Sequence, residues 1–218
     1  MGWPWAKSNP LKARRDAKSA EFLVCWAPLV ATLEVRNSSI NYDFRVVSKL
    51  SRLRGLYFSS GVLEITDFSR LSNLELLASN SSSIRKIVGL GALSKLREIH
   101  CVNPGTNWLK SLPSGIEILF HSGKLPSNFD LSHLSGLKHL GLDSVKTLDI
   151  SALPVSPSVA ELDLVKIGKL ENLAHLKQKF PNLETVNFGE VLRSDYEQAV
   201  SMLKGLEINL WDGLREDS

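Results

Sequence analysis

Cysteine is nearly absent from this chain: Cys25 and Cys101 are the two thiols in 218 residues. They allow at most one bridge, which excludes a disulfide-stapled fold and points to a reducing compartment, so a cytoplasmic location is expected. Long apolar runs are missing too, and none reaches the roughly 18 to 20 residues that a membrane-spanning helix needs. The stretch Phe22 to Ala31 is apolar and follows a basic run, but Glu21 borders it and Pro28 interrupts it. Thr32-Leu33-Glu34-Val35 continues from it into the pattern described below, so a first repeat is expected there rather than a secretion signal. Met1-Gly2 opens like a myristoylation site, yet Ala6 stands where Ser or Thr is required. Strong net charge is lacking as well. The total is +3, of which residues 1–20, with Lys7, Lys12, Arg14, Arg15 and Lys18 against Asp16, hold +4 and the remainder −1. A near-neutral body lacks the positive field of a nucleic-acid binder.

Motifs that carry chemistry are equally scarce. There is no C-x-x-C and no H-E-x-x-H, so no metal and no cofactor are expected. Gly89-Leu90-Gly91 is too short for a phosphate loop. Cys101 and His121 occupy equivalent inward positions on adjacent repeats, and a Cys–His pair can serve as nucleophile and base. No third orienting group accompanies them, so both are expected to fill core slots, and the chain is not expected to be an enzyme.

What is present is a repeat, the first feature to seek in any chain. From Ile84 the apolar residues run Ile84, Ile87, Leu90, Leu93, Leu96, Ile99, Cys101, mostly spaced by three and finally by two. Spacing by three suits a tight helical return, and spacing by two is a strand with alternate side chains on one face. The closing pair recurs as Leu33/Val35, Leu56/Phe58, Leu77/Ser79, Ile99/Cys101, Leu119/His121, Leu140/Leu142, Leu162/Leu164, Val186/Phe188 and Ile208/Leu210, at steps of 23, 21, 22, 20, 21, 22, 24 and 22 residues. Leu173 to Phe180 and Ser194 to Lys204 have room for helices. Ser194 with Glu197 has capping-box spacing, and Pro181 ends the earlier helix. Residues 1–20 are expected to be a basic, Trp-containing arm that carries Trp3-Pro4-Trp5. Residues 21–212 are expected to be the repeat body and 213–218 a tail.

Leu50, Leu53, Leu56 and Phe58, then Leu134, Leu137, Leu140 and Leu142, with Ile84, Ile87 and Leu90, match the pattern L-x-x-L-x-x-L-x-L followed by I-x-x-I-x-x-L. The chain thereby resembles the leucine-rich-repeat family in its 22-residue class, over roughly residues 29 to 211. The resemblance implies an α/β fold: a right-handed solenoid with about nine parallel strands on a concave face and irregular or helical convex returns. It departs from the family where an Asn should follow each strand. Ser38, Gly61, Ser82, Pro104, Lys124, Val145, Ile167, Val191 and Gly213 stand there instead, so the backbone must find other partners. Within this frame Leu140 is a core residue and His139 points outward. Truncating the first is expected to be costly and truncating the second cheap.

In-register stacking turns the outward residues into columns, and solenoids bind through that face. Tyr57, Leu76, Val102, Ile118 and Phe120 are expected to form an exposed apolar patch. Asp143, Glu161, Asp163 and Glu207 are expected to make the C-terminal part acidic. Glu98, His100, His139 and Trp211 complete the candidate partner-binding set. The expected role is a non-enzymatic protein-binding module, favoured as a monomer, with a basic protein and not nucleic acid or membrane as partner. Small repeat proteins of this kind are similar to the bacterial immunity proteins that neutralise a cognate toxin. The alternative is a regulatory or adaptor subunit of a phosphatase or ubiquitin-ligase complex.

Overall fold

The computed structural model of the chain describes residues 11–12, 29–36, 41–59 and 61–216. Trp3-Pro4-Trp5, Cys25, Ser38 and most of the basic arm lie outside them. The chain is α/β and divides into two compact units, one of residues 1–104 with 111–113, the other of 105–110 with 114–218.

The first unit carries parallel strands β1 (Leu11–Lys12), β2 (Thr32–Val35), β3 (Gly55–Phe58), β4 (Leu76–Ser79) and β5 (Glu98–Val102), hydrogen-bonded in that order. Equivalent residues of successive repeats face one another: Leu33 opposite Leu56, Leu56 opposite Leu77, Leu77 opposite Ile99. Part of the expected arm joins this sheet, since Leu11 pairs with Leu33. The leucines spaced by three mark tight turns, in which Leu53 N–H donates to the Leu50 carbonyl at 2.9 Å and Leu74 N–H to that of Leu71 at 2.8 Å. Such three-residue bonding is the 3-10 geometry, used in short pieces. It recurs over Phe44–Lys49, Ser82–Lys86 and Leu90–Ala92. The returns enclose a core in which the Phe44 and Phe58 rings lie 4.8 Å apart and Phe68 and Leu50 are fully buried.

The second unit repeats the design with longer strands, β6 (Ile118–Ser122), β7 (His139–Asp143), β8 (Glu161–Val165), β9 (Thr185–Gly189) and β10 (Glu207–Asp212), again parallel and in chain order. Leu119, Leu140, Leu162, Val186 and Ile208 stand opposite one another in turn, as do His121, Leu142, Leu164, Phe188 and Leu210. Of the returns here, α1 (Thr106–Lys110), α2 (Leu176–Lys179) and α3 (Arg193–Met202) are α-helical. The expected capping box does not form. The N-cap of α3 is Leu192, and the buried Asp195 side chain accepts the Leu170 N–H at 3.1 Å.

The missing Asn column is replaced in two ways. In the second unit Val145, Ile167 and Val191 fill its place as a buried aliphatic row. Their carbonyls accept from the Gly168 N–H at 2.8 Å, the Arg215 guanidinium and the Arg215 N–H at 2.8 Å, respectively. The end of the chain, expected to be a tail, is therefore tied down as far as Glu216, which pairs with Arg193. In the first unit serines do the work, and the Ser83 hydroxyl accepts the Val62 N–H at 2.8 Å. Each return of the second unit leaves its strand through a left-handed residue: Ser144, Lys166 and Glu190 have φ of 58°, 53° and 51°.

These contacts set two stability predictions. Leu140 is fully buried, so Leu140→Ala should destabilise by about 2–5 kcal/mol, whereas Val155→Ala on the surface should stay within about 0.5 kcal/mol. Gly168→Ala should cost about 1–3 kcal/mol, because its new Cβ would lie 2.3 Å from the Lys146 carbonyl oxygen. Urea denaturation of the three variants measures both.

Candidate functional site

In the second unit the sheet face turned away from the core is a polar construction. Three columns cross it. The first runs Ile118, His139, Glu161, Thr185, Glu207, the central one Phe120, Gly141, Asp163, Asn187, Asn209. The third begins Ser122, Asp143, Val165, Gly189, after which the register shifts at a bulge beside Trp211.

The central column was expected to be exposed and is largely buried. Asp163 is 0% exposed and Asn187 2%. Adjacent strands lie about 4.8 Å apart, so longer side chains on either flank close over the middle row. A carboxylate without water must be paired, and Asp163 is. Its Oδ2 lies 2.8 Å from His139 Nε2, and its Oδ1 accepts from Asn187 Nδ2 at 2.7 Å. The same amide donates to Glu161 Oε1 at 2.8 Å, while Asn209 donates to Asn187 Oδ1 at 3.1 Å and to Glu207 Oε1 at 3.3 Å. A hydrogen-bonded row thus crosses four strands, from His139 through Asp163 and Asn187 to Asn209. Gly141 makes room for it: a Cβ there would meet the Phe120 ring at 2.1 Å, and that ring packs edge-on against His139 at 4.9 Å between centroids.

His139 also reaches Glu161, with Nδ1 to Oε2 at 3.6 Å. One atom from each of His139, Glu161 and Asp163 falls within a sphere of mutual distance 4.8 Å, so strand register assembles a possible cation-ligand set that no sequence motif announced. His139 itself changes role. Expected to point freely outward and to be cheap to truncate, it instead partners a buried carboxylate. Asp143 is half-buried and accepts from the Ser122 hydroxyl at 2.8 Å. Trp211 is exposed, as is Leu210, an inward position that the earlier strands of this unit bury.

The first unit differs from expectation more sharply. Tyr57 and His100 are buried. The Tyr57 hydroxyl accepts from Asn80 Nδ2 at 2.8 Å, and His100 Nε2 lies 2.6 Å from Glu98 Oε1. Leu76 and Val102 are half-buried at opposite ends of the strand frame. Leu76 pairs with Glu98, and Val102 is four residues further on, about 13 Å along the strand. They do not adjoin. Ile118 and Phe120 are half-buried and belong to the second unit.

Cys101 and His121 are both fully or nearly fully buried. Burial pushes the Cys101 thiol well above its ordinary value, which keeps it protonated, and pushes the His121 imidazole down. A protonated thiol and a neutral imidazole in the core match the expected structural role. His133, at a half-buried position, lies outside the cluster on the open face. No helix among the described residues is long and apolar enough to cross a membrane. A scan against protein-family models and a search of the curated proteins return no match to this chain.

His121 generates a pH prediction. Its folded-state value lies below the ordinary 6.5, with burial the main cause and the Lys124 carbonyl opposing it. The unfolded chain therefore binds more protons, so the stabilising contribution is complete above about pH 6.5 and declines as pH falls below it. Denaturant midpoints at pH 7.5 and 5.5 should show this loss. His121→Leu should reduce it, and an unchanged pH dependence would place its origin elsewhere.

Proposed function

We propose that this chain is a right-handed leucine-rich-repeat solenoid acting as a non-enzymatic binding module for a basic protein. The in-register parallel strands, with their short turns of leucines spaced by three, support the repeat assignment. The handedness rests on the general rule that parallel crossovers are right-handed. The observation that carries the function is the second unit's open face, where acidic groups are held in fixed positions by neighbouring donors. Glu161 is oriented by Asn187, Glu207 by Asn209 and Asp143 by Ser122. Glu161 and Glu207 stand two strands apart, about 10 Å, a spacing suited to two basic side chains of one partner. Lys166, past the other end of the Glu161 strand, is paired with Glu190 at 3.3 Å. Trp211, exposed at the margin, supplies an aromatic anchor of the kind that carries binding energy. Asp163 is withdrawn from the expected binding set, because its carboxylate serves the interior of the row.

An acidic face of this type blocks a basic active site, so the partner class is a toxin or nuclease neutralised in the cytoplasm, in the manner of immunity proteins. Immobilised protein is first used to capture basic proteins from a lysate of its own source. A partner identified in this way is then measured by surface plasmon resonance against two variants. Asp143→Asn/Glu161→Gln/Glu207→Gln should slow association about tenfold at low salt and flatten its salt dependence, since such charges act through steering. Trp211→Ala should mainly speed dissociation. Partner rates unchanged in both variants would refute this face as the interface.

A further inference from the structure

We propose that His139, Glu161 and Asp163 form a binding site for one divalent cation of borderline softness, for which zinc is the probe. The ligand set is mixed, an imidazole with two carboxylates, and zinc takes both His nitrogen and Asp or Glu oxygen as ligands. The two carboxylates are divided in their duties. Asn187 Nδ2 holds Glu161 Oε1 and Asp163 Oδ1, at 2.8 and 2.7 Å. The other oxygen of each, Glu161 Oε2 and Asp163 Oδ2, is turned to the imidazole, at 3.6 and 2.8 Å from its two nitrogens. Outer partners that fix one oxygen and leave the other for the ion are how cation sites are oriented.

The electrostatics point the same way. Asp163 is wholly buried and Glu161 lies on the next position of its face, so two negative charges meet one imidazole. A divalent ion taken between the three groups neutralises both carboxylates at once. One imidazole nitrogen and one oxygen of each carboxylate lie within 4.8 Å of one another, and mutual distances of about 3.3 Å would make the edges of a tetrahedral site with ligand distances near 2.0–2.1 Å. The Phe120 ring, 4.9 Å from the imidazole, shelters one side from water. A fourth position remains for water or for a donor from outside. The site stands whether or not the face also meets a protein partner.

The test uses the full chain, stripped with a chelator and titrated with zinc chloride by isothermal calorimetry, with thermal denaturation read in parallel. One equivalent should bind saturably and raise the melting temperature. Glu161→Gln keeps the Asp163–His139 contact, so it is the variant that spares the fold, and it should weaken zinc at least about tenfold. His139→Ala, checked for folding by circular dichroism, should weaken it further. Magnesium, which prefers an all-oxygen octahedral shell, should bind more weakly than zinc. Absence of saturable zinc binding to the parent, or parent-like affinity in Glu161→Gln, overturns the proposal.

Discussion

The parallel hydrogen-bond register is the constraint on which everything else in the second unit depends. Because each strand enters the ladder at the same residue, the step between strands stays near 22 and absorbs its variation in the returns. A slip of one residue would turn Leu140 and Leu142 outward and bring His139 and Gly141 in. The register also decides the polar chemistry. His139 stands directly opposite Glu161, and Asp163 is two residues further along the same strand, opposite Gly141. An imidazole reaching diagonally across a glycine is what brings these groups together.

Burying Asp163 would be costly if the carboxylate were left alone, because a charge removed from water loses several kcal/mol of solvation. The row answers that cost at both oxygens, with His139 on one side and the Asn187 amide on the other. Removing either partner leaves one oxygen of a buried carboxylate unsatisfied, which costs more than the bond itself contributes. The open face is therefore more than a decorated surface. Its middle row is a second, polar core, separated by one sheet from the leucine core behind it. Asn209 then extends this row to the last strand, so the order of the interior reaches Glu207 at the margin.

The strand positions were legible in the sequence because alternation and a 22-residue phase are both consequences of stacking. Every inward pair from Leu33/Val35 to Ile208/Leu210 lies on an observed strand. The left-over position after each strand was also legible as a problem, and its solution was not: apolar Ile167 and Val191 carry no hint that Arg215, many residues later, will bond their carbonyls, nor Val145 that the Gly168 N–H will bond its own. The candidate site was read in part. Alternation puts Asp143, Glu161 and Glu207 on the outward columns, where the strand register has them, but it also puts Tyr57, His100 and Asp163 in solvent, and these are buried. Alternation tells which face a residue is on and not whether its neighbours cover it. The cluster of His139, Glu161 and Asp163 escaped motif reading for a related reason, since its spacing of about one repeat is set by the ladder and not by a helix turn.

The polar core bears directly on how the face can bind. A flexible carboxylate loses rotamer freedom when it meets a partner, at a cost of about 0.5–1.5 kcal/mol per side chain. Glu161 and Glu207 have much of that freedom removed beforehand by Asn187 and Asn209. The cost has been met at folding, by burying amides that satisfy one another, so that the proposed association would retain more of each ion pair's attraction. Asn187 is central to this arrangement because one amide group orients two carboxylates while its own oxygen accepts from the next strand. Shortening or removing that side chain would leave the charges of the face in number unchanged and in position undefined. Affinity for a cationic ligand, whether a side chain or an ion, depends on the position as much as on the number, so the proposed binding rests on the buried asparagines as much as on the surface acidic groups they orient.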